Sequence, residues 1–168
     1  MAPQTGRTVN RWIRFVVEDS ANVMREIPIN SINGVGLTAE EIDVTAFQDP
    51  VRTVLPGRSD CTITIGGPFD TTAAAANAAS GNAPTLSGSH TVLKGIYGLN
   101  IPLALGILFG IRHYWETTEP AFGLIATASV GFICTEYMVN PTDCTYAATF
   151  KVYGTTAPSW IDTMPTVA

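Results

Sequence analysis

Apolar and polar residues alternate with a period of two through much of this chain, the pattern of strands with one face buried. In residues 10–18, Ile13, Phe15 and Val17 fall on one face and Trp12 and Val16 on the other, with Arg11 and Arg14 reaching solvent. A short second strand is expected at 24–29, and 32–37, with its Asn33-Gly34 turn, leads into a third. Two further strands are expected at 42–47 and 61–65, where Cys61, Ile63 and Ile65 alternate with Thr62 and Thr64. One face is then buried and the other meets water or a neighbour. Residues 103–111 are the most regular: Leu103, Leu105, Ile107, Phe109 and Ile111 point one way, and Ala104, Gly106, Leu108 and Gly110 the other. Such a small-residue face admits close approach of another segment. Residues 123–134 and 145–153 complete the set, joined through 137–139 and an Asn140-Pro141 turn.

The period changes once. Val92, Leu93, Ile96 and Tyr97 recur at helical spacing, so 90–97 is the single expected helix, with Ser87 or Ser89 as its N-cap and Gly98 as its stop. Seven or so short strands with one flanking helix predict a mainly β fold, a β-sandwich or open barrel. The chain fits one domain over 1–168, with an extended loop at about 47–60 and a flexible Ala/Gly/Asn-rich loop at about 70–88.

The loop at 47–60 is unusually long for a connection between paired strands. Its centre, Thr53-Val54-Leu55-Pro56-Gly57, is apolar and turn-forming, and Asp49, Arg52, Arg58 and Asp60 flank it. Two readings fit: an Ω-loop packed on its own side chains, or an arm that becomes ordered against another subunit.

Here the residues also resemble a family. Glu41, Ile42, Asp43, Val44, Thr45, Phe47, Asp49, Arg52, Pro56, Gly57, Asp60, Ile65, Gly67, Phe69 and Asp70 form a first block. Residues 109–116, with Pro120 and Phe122, form a second, and 148–160 a third. In this order they resemble the tail tube (major tail) proteins of long-tailed bacteriophages, over roughly positions 40–160. The resemblance implies a β-sandwich or barrel with one helix. It implies six copies in a ring closed by strand addition between subunits, and rings stacked into a tube for genome delivery. It implies a virion protein assembled in the host cytoplasm, meeting tape-measure and tail-terminator proteins, with viral DNA passing through without specific binding. Asp49, Arg52, Val54, Leu55, Pro56, Gly57, Arg58 and Asp60 are then the candidate subunit or ring interface, the charges setting register and the apolar centre supplying buried contact. A capsid decoration or other virion protein built on the same fold is the alternative, because a fold does not fix a function.

Composition agrees with assembly. Hydrophobic residues make up 46% and charged ones only 14%, and so little charge leaves apolar surface for interfaces. The net charge of −5 argues against a nucleic-acid reader, which presents a basic stripe. Arg7, Arg11 and Arg14 form the only cluster, and a strand divides them between its faces. A conduit gains from that deficit, since each neutralised phosphate would hold the duplex back.

An enzyme is not expected. Neither His90 nor His113 sits in a catalytic pattern, and nothing singles out a Cys61–His113 pair. Cys61, Cys134 and Cys144 match no metal spacing and are expected reduced. Neighbouring carboxylates such as Glu40 and Glu41 point to opposite faces of a strand. No cofactor or metal is implied. The apolar run 99–111 is too short to cross a bilayer, so no membrane role is expected.

Overall fold

The computed structural model describes residues 13–48, 50–74, 84–110, 120–162 and 165. Its elements are β1 (Ile13–Glu18), β2 (Met24–Ile27), β3 (Ser31–Asn33), β4 (Thr38–Asp43), β5 (Val54–Asp60), β6 (Thr62–Pro68), β7 (Thr85–Leu86), α1 (Ser89–Ile96), β8 (Leu105–Phe109), β9 (Ala121–Leu124), β10 (Gly131–Asn140), β11 (Thr145–Tyr153) and β12 (Ser159–Ile161). Six strands form one sheet in the order β12-β9-β8-β1-β2-β7, and four form a second, β10-β11-β6-β3. Among the described residues β4 and β5 pair only with each other. The fold is mainly β with one helix, as the alternation predicts.

The core lies between the two larger sheets. Phe15, Val17 and Ile27 meet Ile63, Ile65, Ala148 and Phe150 of the second sheet, and Val92, Leu93 and Ile96 of α1 join the same cluster. The rings of Phe15 and Phe150 bridge the sheets with centroids 5.4 Å apart. Alternation along β1 and β8 places Val16, Ala104 and Leu108 on the opposite face, where they pack with Ala121 and Ile161 in a second buried cluster. The six-stranded sheet is therefore apolar on both sides.

The small face expected around β8 is used for close approach. A Cβ on Gly106 would lie 2.6 Å from Pro165 Cδ. On Gly123 of β9, which pairs with Gly106, it would lie 2.2 Å from the Leu105 carbonyl oxygen. Backbone cannot yield as a flexible side chain can. Gly123→Ala is therefore expected to cost about 3 kcal/mol or more by forcing the strands apart, read as a lowered denaturation midpoint at unchanged m-value.

Several expected boundaries shift. α1 begins one residue early, and its N-cap is Gly88, with no side-chain capping bond. Ser87 and Ser89 do not cap it. The Ser89 hydroxyl donates to the Pro68 carbonyl (2.8 Å) and accepts from the Asp70 amide (3.1 Å), tying the helix to the chain leaving β6. Gly98 does follow the helix, at φ +73°. The strand expected at 123–134 is two strands split by a turn in which Thr127 bridges Val130. β10 then runs on to Asn140, with a bulge between Cys134 and Glu136 that breaks the alternation and hides its continuity. β7 and β12 are too short to leave a periodic signal, and β7 lies inside the expected 70–88 loop.

Candidate subunit interface

The segment expected as a loop at 47–60 is the tip and the returning strand of a hairpin. β4 and β5 pair from Thr38↔Asp60 to Asp43↔Val54, with an irregularity between Ala39 and Glu41. Val54, Leu55, Pro56, Gly57, Arg58 and Asp60 are thus strand residues, and the connecting turn is 44–53. The strands expected at 42–47 and 61–65 do not pair with each other. β4 ends at Asp43, while β6 joins β11 and β3 in the four-stranded sheet. The misassignment has a simple cause. Ile42 and Val44 alternate with Asp43 and Thr45 as they would above a core, but here no core lies beneath them.

Every described residue of the hairpin from Thr38 to Asp60 is exposed except Gly57, which is half-buried. Leu37, Ile42, Val44, Phe47, Val51, Val54 and Leu55 are all exposed, and Phe47 near the tip is fully so. Ile42 and Leu55 are cross-strand partners, and the Ile42 side chain lies over Gly57, where a Cβ would come within 3.1 Å of Ile42 Cδ1. One face of the hairpin is consequently an apolar strip. A hairpin of two strands is marginal alone in water and is stabilised when its apolar side is covered.

The other face carries charge. Arg52 Nε donates to Asp43 Oδ2 at 3.2 Å, and its Nη2 lies 3.9 Å from Glu41 Oε2. Asp43 Oδ1 accepts the Thr45 amide at 2.9 Å, and the Thr45 hydroxyl accepts the Thr53 amide at 2.8 Å. Arg52 is therefore engaged within its own arm. Asp60 Oδ1 accepts the Cys61 amide at 2.8 Å, which fixes the exit from β5. Asp49 lies outside the described residues.

Bonds from the Thr45 hydroxyl and amide, and then from Arg52, hold Asp43 below the usual carboxylate range. A depressed folded value means that the turn's order is present above the ordinary aspartate pKa and is lost as pH falls through the lowered one. An NMR titration should give Asp43 a midpoint below that of aspartate in an unstructured peptide. Thr45→Val should move it back up.

Two further surfaces belong to the four-stranded sheet. The four-stranded sheet turns Ile63, Ile65, Ala148 and Phe150 inward and presents Thr62, Thr64, Thr145 and Thr149 outward. Thr149 Oγ1 lies 3.5 Å from Thr64 Oγ1 and donates to Glu136 Oε2 at 3.1 Å, so the face is polar and internally bonded. Glu136 and Lys151 are its only charges among the described residues. β10 is the edge strand of this sheet. Leu103 and Gly98 bond the backbone of Phe132 and Cys134, leaving the outer edge of 136–140 without a strand partner among the described residues. An open edge of that kind can accept a strand.

The remaining candidate chemistry is structural. His90 Nδ1 and the Tyr137 hydroxyl lie 2.8 Å apart, and the His90 ring lies tilted by 42° against Phe69 with centroids at 4.8 Å. Burial pushes the Cys61 thiol up, and that of Cys134 to about 11, the opposite of an activated thiolate. His113 lies outside the described residues. Among the described residues no three His, Cys, Asp or Glu side chains converge on a common point, and no helix is long and apolar enough to cross a membrane.

Solved structures share this architecture. A chain from the extended sheath–tube complex of an extracellular contractile injection system superposes with a TM-score of 0.55 at 13% identity, covering 95% of both chains. The chain has a tail-tube-like fold. A chain of the tube-terminating cap of the anti-feeding prophage matches with a TM-score of 0.55 at 10% identity, covering 93% of this chain and 91% of that one. No family model matches the sequence, and no curated protein does. At these identities the likeness speaks for the fold alone.

Proposed function

We propose that this chain is a structural virion protein whose copies form rings, six to a ring by the sequence resemblance, stacked into a phage tail tube. The observation that carries the reading is the hairpin: an ordered arm with an apolar strip that covers none of its own core. Burying Ile42, Val44, Phe47 and Leu55 against another subunit would contribute roughly 4–8 kcal/mol before ordering costs. The open edge of β10 supplies a route to ring closure by strand addition between subunits. A rotation that closes gives the ring, and translation along its axis gives the tube.

The threonine face of the four-stranded sheet is the proposed lumen wall. It is polar and internally hydrogen-bonded, and among the described residues its one carboxylate and one ammonium cancel, so it offers phosphate groups little to bind. Negative-stain microscopy of the purified protein tests the reading and should show hollow tubes. Electrophoretic mobility assays at low salt should show no shift of duplex DNA. Tight, salt-sensitive binding would instead argue for a packaging or connector role. The likeness to a tube-terminating cap favours one second reading, a ring that ends a tube, for which microscopy would show discrete rings at all concentrations.

A further inference from the structure

The connection from β3 to β4 opens on the only Asn-Gly pair in the sequence, Asn33-Gly34. Both residues are exposed, and β3 is the edge strand of its sheet, so water reaches them from the side that no described strand covers. The Gly34 amide donates to Asn33 Oδ1 at 2.9 Å, which sets a peptide nitrogen beside the side-chain amide of the residue before it. Gly34 stands at φ +80°, and a Cβ there would lie 1.9 Å from the Thr62 carbonyl oxygen. The close approach of β6 therefore dictates glycine at 34, and the Gly34 nitrogen has no side chain to shield it.

We propose that Asn33 is a site of spontaneous covalent modification, passing through a succinimide to aspartyl and isoaspartyl products. The Gly34 nitrogen gives its proton to water and attacks Asn33 Cγ, the carbon that bears the oxygen it already faces. An N–Cγ bond forms, the Cγ–Nδ2 bond breaks, and the amide nitrogen takes up a proton and leaves as ammonia. Water then adds to one of the two ring carbonyls and breaks its bond to the Gly34 nitrogen, which regains a proton. Opening at Cγ leaves aspartate. Opening at the main-chain carbonyl leaves isoaspartate, with the backbone rerouted through Cβ and Cγ. Water is the only co-reactant. Holding the two groups side by side replaces an encounter by a rotation of the side-chain amide.

Either product changes the segment that leads into the arm. Each adds a negative charge at the end of β3. Isoaspartate also lengthens the backbone at Asn33, which pairs with Thr64, next to Gly34, where the Thr62 carbonyl leaves no room. That product should loosen the end of the β3–β6 ladder. Asn30 and Asn22 are exposed too, but Ser31 and Val23 follow them, and those side chains crowd the same attack.

Incubating the intact folded protein in mildly alkaline buffer tests the site, with peptide mapping by mass spectrometry and labelling by an isoaspartyl methyltransferase. Asn33 should lose ammonia at least about tenfold faster than Asn30 or Asn22. It should also react at least as fast as in the same chain unfolded in urea. If folded Asn33 reacts no faster than Asn30, or more slowly than when unfolded, the hydrogen bond shelters the amide and the proposal is overturned. The isoaspartyl label should vanish in Asn33→Gln, whose longer side chain closes a ring poorly. A label that survives this change would place the reaction elsewhere and overturn the proposal too. The modified fraction, separated on an anion-exchange column by its added charge, should melt below the fresh protein. An equal melt would overturn the loosening of the β3–β6 ladder.

Discussion

Replacing Ile42 and Leu55 together by aspartate should leave a folded protein that forms no tubes. Both side chains are exposed and touch each other across the hairpin rather than the core, so the monomer loses little by the change. Two carboxylates on that strip would have to be desolvated, or leave it unburied, at every subunit contact. Charge buried without a partner costs several kcal/mol per group, and the cost recurs at each joint of a ring. Sedimentation and microscopy should show monomer alone, while the far-ultraviolet circular dichroism and the cooperative melt stay those of the parent. Unchanged tubes would make the arm a passive surface feature. A protein that failed to fold would place the strip in the monomer's own stability.

Phe150→Ala should have the reverse signature. Phe150 is wholly buried between the sheets, against Phe15, and its truncation leaves a cavity spanning both. A loss of about 3–5 kcal/mol is expected, which for a chain of this size lowers the melting temperature by roughly 10–15 °C. Calorimetry reads it directly. Protein still folded below the new midpoint should assemble normally, because the interface surfaces are untouched. A change under 1 kcal/mol would mean that the two sheets are not packed as described. Phe47 and Phe150 thus separate two roles that one residue type plays in this chain: one anchors a proposed contact, the other a core.

Much of the fold was legible in the sequence because strands over a core leave a period of two. β1, β8, β11 and α1 fall close to their expected places, and both faces of β8 are filled as the alternation of large and small residues predicts. What the sequence concealed follows from the same rule. Ile42, Val44 and Leu55 alternate as core residues do, although they are exposed and join neither buried cluster. Composition singles out residues 47–60, but neither the hairpin pairing nor the exposure of Phe47 is legible in it. Serines beside α1 look like caps in one dimension. In three, Ser89 is drawn toward Pro68 and Asp70, a contact that no local rule anticipates.

The pairing of β1 with β8 bears on the order of events during synthesis. Phe15 meets Ile107, so the six-stranded sheet brings together strands separated by about ninety positions, and such long closures form slowly. β11, which β6 and β10 both need, emerges later still. The β4–β5 hairpin is local and can form while most of the body is absent from the ribosome. A growing chain would then show neighbouring nascent chains the apolar residues of a marginally ordered hairpin before the two larger sheets can form. Slowing elongation after Asp60, or crowding the ribosomes on one message, should therefore favour tangled chains over soluble subunits. A chaperone acting at that stage would raise the yield of folded protein.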